Sequence, residues 1–398
     1  MDNREDNPQN VVRRGTGDGP PAMLYPMPTD IPISPPSLRP PSGLLLGSTQ
    51  EVLGAVPYLV GFHPSDSLVV IGLRGRPPRS RLHLTVRWDL PLADPGLDGL
   101  VPLFAQERVA QVIVVGYGPG TLVTPAVDPA VALFRRAGIT LLDALRVEDG
   151  RYWSYVCSRT DCCPVDGTPY DREAGVVAAR ATVHGLVALP DRRTLERSLD
   201  PVGGSTRSAM RRATARVTKE LRDRLAASDD PGGFAAEFVA EGVARVRSAV
   251  AVHASGGRLD DEEAARLGLA LAVIRVRDEA WALVADDAHD AHLGLWRDLT
   301  RRLEPRFVPP AACLLAVVAW CRGDSALAGV ALTRACDVDP GYSMANLLTH
   351  ALRHMLSPQV LRDRMPSPEE LDREMGSPRM AWLLPVIALL GEPEASGG

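Results

Sequence analysis

The stretch "GFHPSDSLVVIGL" (61–73) places His63, Asp66 and Ser67 within one turn. These are the residue types of a nucleophile triad, in which a base takes the serine proton and a carboxylate orients the base. That chemistry needs Ser–His and His–Asp hydrogen bonds in series, a geometry seldom reached inside a single turn. No G-x-S-x-G elbow surrounds Ser67. The competing reading is structural: Asp66 or Ser65 closes the turn through nearby backbone amides, and His63 packs or caps.

Arg87 and Asp89 stand two apart in "RLHLTVRWDL", on one face of a strand. They form either a mutual ion pair or an anion clamp, because a guanidinium offers a two-pronged fork to phosphate or carboxylate. The loop "GYGPG" (116–120) follows a strand, as phosphate loops do. It lacks the G-K-[ST] ending, Pro119 and Pro125 break the start of a following helix, and a G-x-G-x-x-G fingerprint would need glycine at Thr121. Gly116, Gly118 and Gly120 are thus candidate ligand-binding backbone, and equally an ordinary turn.

Cys157, Cys162 and Cys163 form a C-x4-C-C cluster. Three thiolates can hold zinc with a fourth ligand from elsewhere, such as Asp161 or Asp166. The usual C-x2-C spacing is absent and no histidine follows nearby. Reduced thiols packed in a tight loop, a metal site, and a disulfide from Cys157 to one of the other two all stay open, in that order. The segment "STRSAMRRATARVTKELRDRL" is rich in arginine, but Glu220 and Asp223 dilute it and no aromatic residue interleaves, so a solvated helix face accounts for it. His289 with His292 fits shared metal ligation or a polar helix face; His350 and His354 lack the glutamate of H-E-x-x-H.

The elements that must position these groups fall into three regions. Residues 1–43 are polar and proline-rich without apolar periodicity, which predicts a disordered tail. Residues 44–200 read as an α/β domain with a small mixed sheet and a cysteine-containing loop. Ser48 and Glu51 form a capping-box pattern ahead of a short helix that Pro57 ends or kinks. Ser67–Leu73 is a buried strand, and Leu82, Leu84, Val86 and Trp88 alternate with polar residues in the next. Helices at about 97–109 and 128–137 flank the strand "QVIVVGYG", and Asp149-Gly150 turns a hairpin from "ITLLDALRVEDG" into "RYWSYVC". If the first two strands pair and the crossover is right-handed, His63, Asp66, Arg87, Asp89 and the 116–120 loop gather at one rim. Residues 201–398 read as an all-α domain, with "AASDDPGG" (226–233) as a break and Asp260 as a helix cap.

"VPYLVGFHPSDSLVVIGL", "VRWDLP", "CSRTDCCPVDGTP" and "RACDVDPGYSMANLL" together resemble an actinobacterial family catalogued as domain of unknown function 4192. The resemblance runs from about Leu44 to at least Leu348. It implies a cytosolic actinobacterial protein and supplies no catalytic residues. Residues 309–342 also resemble one tetratricopeptide helical hairpin, with Gly323, Ala328, Ala335 and Pro340 at the spacing of its second half, Ala316 where its first helix expects a small residue, and Ala312 in place of its tryptophan.

A 45% hydrophobic and 23% charged composition is that of a globular protein with at least one sizeable core. The net charge of −5 makes nucleic acid an unlikely partner class. The apolar runs at 311–320 and 381–390 are about half the ~20 residues of a spanning helix, and no signal core opens the chain, so a cytoplasmic location without membrane contact is expected. The function that fits is a non-catalytic binding or regulatory protein. It would hold a small anionic ligand at the rim and a protein partner on the helical half. The alternative is a hydrolase or transferase of a phosphorylated or acyl small molecule, with His63 as base and Arg87 as anion binder. Zinc at the cysteine cluster is the one cofactor entertained.

Overall fold

The computed structural model describes residues 48–75, 80–93, 96–97, 99–171, 187–284, 288–363 and 365–391. The expected 1–43 tail lies outside the described residues. Helix α1 (Thr49–Val60) starts as its sequence predicts: the Ser48 side chain accepts the Glu51 amide at 3.2 Å. It ends at Gly61, whose φ of +83° is the left-handed cap that favours glycine. Pro57, expected to end or kink this helix, lies inside it and is buried. An interior proline costs about 3 kcal/mol. Burying Val52, Leu53, Val56, Leu59 and Val60 against the sheet contributes about 1.5–3 kcal/mol for each large side chain, so burial prevails.

The sheet holds β1 (Ser67–Arg74), β2 (Arg81–Asp89), β3 (Gln111–Tyr117), β4 (Thr140–Glu148), β5 (Arg151–Ser154) and β6 (Thr168–Pro169), in the order β2-β1-β3-β4-β5-β6. Only β3 and β4 run parallel; the other neighbours are antiparallel. Helices α2 (Leu100–Gln106) and α3 (Gly120–Arg136) cover the face opposite α1. The central strands β1 and β3 are buried on both faces, which is why they read as continuous apolar runs. The alternation expected along β2 is broken once. Gly72 pairs with Leu84 but Leu73 with Leu82, so His83 is an extra residue. This bulge turns Leu82 to the α1 face, while Leu84, Val86 and Trp88 face α2 and α3.

Helix α3 begins earlier than expected. Pro119 caps it, and Pro125 and Pro129 lie inside it, because Val123, Ala126, Val127, Ala130 and Phe134 bury a continuous stripe on the sheet. Close approach to β3 requires Gly116: a Cβ there would stand 2.2 Å from Val123 Cγ1.

The helical half comprises α4 (Arg192–Arg197), α5 (Gly204–Ala226), α6 (Pro231–Ala254), α7 (Asp261–Ala270), α8 (Ile274–Ala282), α9 (His289–Arg302), α10 (Val308–Cys321), α11 (Ser325–Val338), α12 (Ser343–Arg353), α13 (Pro358–Asp363), α14 (Pro368–Met375) and α15 (Leu384–Gly391). Every residue of α10 is buried, the outcome for a helix apolar on all sides. Its neighbours wrap it, and α11 follows after Arg322–Asp324, with the Asp324 carboxylate accepting the Leu327 amide at 2.8 Å. Asp260 caps α7 through the Glu263 amide at 2.8 Å. Several basic residues of α5 are spent internally: Arg216 pairs with Glu262, Arg224 with Glu241, and Arg222 donates to the Leu390 carbonyl. No helix among the described residues is long and apolar enough to cross a membrane.

Gly116→Ala is expected to lower unfolding stability by about 1–3 kcal/mol, the usual cost of overpacking. Urea unfolding measures it, and an unchanged midpoint would contradict the close β3–α3 approach.

Candidate ligand-binding cleft

Register brings the rim residues together. Ser67 pairs with Asp89 on one side and Tyr117 on the other, so β1 begins where β2 and β3 end. The Arg87 guanidinium donates to Ser67 Oγ from Nε at 3.0 Å and from Nη2 at 2.7 Å, and Nη2 also meets Asp89 Oδ1 at 2.5 Å. It lies 5.0 Å from the centroid of the Phe62 ring. Asp89 is shared with Arg192 of α4. Burial pushes the Arg87 pKa below its ordinary value, against the opposing pull of Asp89. Burial raises the Asp89 pKa, but hydrogen bonds and charge from Arg87 and Arg192 outweigh it and leave the carboxyl below its usual range.

Ser67 is fully buried, and its hydroxyl donates to the Ser65 carbonyl at 2.5 Å. The single hydroxyl proton is therefore directed at the backbone, and the oxygen serves as an acceptor for Arg87. The His63 amide donates to the Leu189 carbonyl at 2.9 Å, tying this turn to the segment before α4. Asp66 has a φ of +42°, and its carbonyl accepts the Leu90 amide at 2.8 Å.

Gly118 and Gly120 form a second cluster on the α3 side. A Cβ on Gly118, at φ +128°, would stand 3.0 Å from Asp66 Oδ1, and one on Gly120 would stand 3.3 Å from Arg146 Nη1. Arg146 stacks on Trp153 at 3.8 Å and pairs with Glu148 at 2.6 Å. Arg146 carried no signal in the sequence, where it reads as one polar position of a strand.

Beyond the rim, β2 is the edge of the sheet among the described residues and forms one wall of a cleft of about 1780 Å³. The other wall is the end of α10, the exposed side of α11, the end of α12 and the segment 355–362. Arg87 and Asp89 line this cleft; Gly116, Gly118 and Gly120 do not. Apolar lining comes from Phe62, Leu84, Val86 and Trp88 on the sheet side and Trp320, Val330 and Leu352 on the helical side. Seven arginines line it (Arg74, Arg81, Arg87, Arg192, Arg322, Arg353 and Arg362) against three lining carboxylates, Asp89, Glu107 and Asp324, and two beside it, Asp290 and Glu196, that pair with Arg322 and Arg192. In a chain of net charge −5 this is a local inversion of sign.

Glu107, just after α2, closes one end. Its carboxylate accepts from Arg74 Nη2 at 3.1 Å, meets His83 Nε2 at 2.8 Å, and accepts the hydroxyl of Ser357. Burial raises its pKa, but the hydrogen bonds of Ser357 and His83 and the charges of His83 and Arg74 prevail, and the carboxyl titrates below its ordinary value. Asp89–Arg192 spans the other end, from β2 to α4.

The cysteine cluster lies away from the cleft, in the loop between β5 and β6. Cys157 and Cys162 sulfurs are 3.2 Å apart, Cys162 and Cys163 sulfurs 3.8 Å, and all three are free thiols. His292, paired in the sequence with His289, is buried; its Nδ1 accepts from Trp296 Nε1 at 3.2 Å, and burial pushes its pKa down to about 4.

Glu107→Gln is expected to reduce stability at pH 7 by about 1–3 kcal/mol, the range for hydrogen bonds to a charged group. Because the folded pKa lies below the unfolded one (~4.3), the contribution is full above the unfolded value and is lost as pH falls through the folded value. Urea titrations from pH 7 downward should show the gap between wild type and variant closing in acid; a pH-independent gap would contradict the assignment.

Neither a curated protein nor a solved structure matches the chain. Residues 50–359 match the family model described as a domain of unknown function, DUF4192, and the chain belongs to that family.

Proposed function

We propose that this protein is a non-catalytic binding protein whose cleft receives an acidic polypeptide segment of a partner, laid along the open edge of β2. The observation that carries this reading is the excess of arginine in the cleft, seven against the three lining carboxylates and the two, Asp290 and Glu196, that pair with Arg322 and Arg192. Three further features support it. The cleft volume of about 1780 Å³ exceeds the roughly 300–1,000 Å³ of small-molecule sites. An edge strand offers unpaired backbone donors and acceptors to an added strand. The apolar residues between the arginines supply pockets for alternate side chains. Rim and helical surface then act as the two walls of one site, and a small anion is at most part of what it binds. The free thiols fit a reducing compartment, the cytoplasm.

A hydrolase or transferase would need Ser67 or His63 to act on substrate. The buried Ser67 hydroxyl, donated to Ser65, favours the binding reading.

The probes are fluorescein-labelled peptides of equal length, one glutamate-rich and one lysine-rich. The full chain is expected to bind the acidic peptide and not the basic one, with affinity falling as salt rises. Arg81→Glu with Arg353→Glu should weaken acidic-peptide binding by about tenfold or more. Equal binding of both peptides, or binding unaffected by the double reversal, would overturn the reading. Competition by inorganic phosphate alone at low millimolar concentration would shift the assignment to a small anion.

A further inference from the structure

The loop joining β5 to β6, residues 155–167, has little apolar packing of its own. Val156 is 52% exposed and Val165 84%. Its frame is polar and rests on one aromatic. Trp153 Nε1 donates to the Val165 carbonyl at 2.9 Å, and Arg151 donates to the Gly167 carbonyl at 2.9 Å. Gly167, at φ +78°, is pressed so closely on Trp153 that a Cβ would meet the ring at 2.6 Å. On its other contact the same indole carries Arg146. Ser154 Oγ accepts the Cys157 amide at 3.1 Å, and the Cys163 amide donates to the Arg159 carbonyl at 2.8 Å. These bonds fix the backbone so that the three sulfurs lie within 4.8 Å of one another.

Neither buried packing nor a disulfide accounts for all three thiols. Thiols that serve packing are buried, as Cys313 and Cys321 are in α10, but Cys162 is exposed and its neighbours only half-buried. A disulfide needs sulfurs about 2.0 Å apart and would employ two of the three. Cys157 and Cys162 stand at 3.2 Å, and the third sulfur, of Cys163, remains 3.8 Å from Cys162. A tetrahedral zinc site with Zn–S bonds of about 2.3 Å sets its sulfurs about 3.8 Å apart. The Cys162–Cys163 separation of 3.8 Å matches that edge, and the Cys157–Cys162 separation of 3.2 Å must open by about 0.6 Å (3.8 less 3.2) to reach it.

We propose that Cys157, Cys162 and Cys163 form a three-thiolate zinc site. No fourth histidine or carboxylate joins the group among the described residues. Asp161 is paired with Arg159 through bonds of 2.5 and 3.2 Å. Binding exchanges three S–H bonds for three Zn–S bonds and releases three protons to water. The zinc–trithiolate unit then carries one net negative charge, and the Arg159 guanidinium, within electrostatic reach of all three sulfurs, offsets it. The site lies at the β5–β6 edge, across the sheet from β2, so it is independent of the cleft.

The test uses the full chain, reduced and stripped of metal, titrated with zinc and with cobalt. The expected result is a single equivalent of metal, thiolate-to-cobalt charge-transfer absorption, and alkylation of the three cysteines slowed about tenfold or more by zinc. The triple variant Cys157→Ser, Cys162→Ser, Cys163→Ser should lose all three signals, while Cys336→Ser keeps them. Circular dichroism checks that the triple variant folds, and Cys162→Ser alone, at an exposed position, gives the same answer with less disturbance. Freely alkylated thiols in the presence of zinc, or metal retained by the triple variant, would overturn the proposal.

Discussion

The carboxylate of Glu107 is a shared charge through which the sheet and the helical half of the molecule meet. It draws together Arg74 of β1, His83 of β2 and Ser357 from a segment 250 residues away. Two strands and the helical layer thus share one charge. Removing that charge would leave the Arg74 guanidinium without its anion and the Ser357 hydroxyl without its ionised acceptor. The cleft exists because this contact, with Asp89–Arg192 at the far end, holds the helical layer near β2 without letting it pair with β2. A fully covered edge would leave no room; an untethered one would leave no second wall. The arginines between the two contacts give the space its sign.

The bulge at His83 belongs to the same design. A regular β2 would keep Leu82, Leu84, Val86 and Trp88 on one face and turn His83 to the other. The extra residue sends Leu82 to the α1 face and lets His83 reach Glu107. The local irregularity therefore makes the long-range contact, an instance of a bulge re-aiming a side chain.

Most of the strands were legible in the chain. Apolar runs marked β1 and β3 because both faces of those strands are covered, and Asp149-Gly150 marked the β4–β5 hairpin because its two positive φ values, 46° and 72°, suit those residues. The expected rim of His63, Asp66, Arg87, Asp89 and residues 116–120 was drawn from strand direction alone, and the register does set the start of β1 beside the ends of β2 and β3. Pro125 misled and Pro57 does not end its helix, since an interior proline costs about 3 kcal/mol and tertiary burial outweighs it. The cleft was not legible. Its walls come from residues near 85 and residues near 330, and no local pattern encodes which edge strand a helix end will face. Nor does charge along the chain show it: the arginines that line the cleft are scattered singly from Arg74 to Arg362, while the arginine-dense segment turned out to be α5, several of whose charges are paired internally.

The central claim is that an acidic segment adds to the open edge of β2, between that strand and the helical wall. Amide hydrogen exchange of the full chain, with and without a glutamate-rich peptide, tests this most directly. The account predicts slowed exchange in residues 81–89, together with slowed exchange around the start of α11. Protection confined to other surfaces, with β2 exchanging at its free rate, would contradict it.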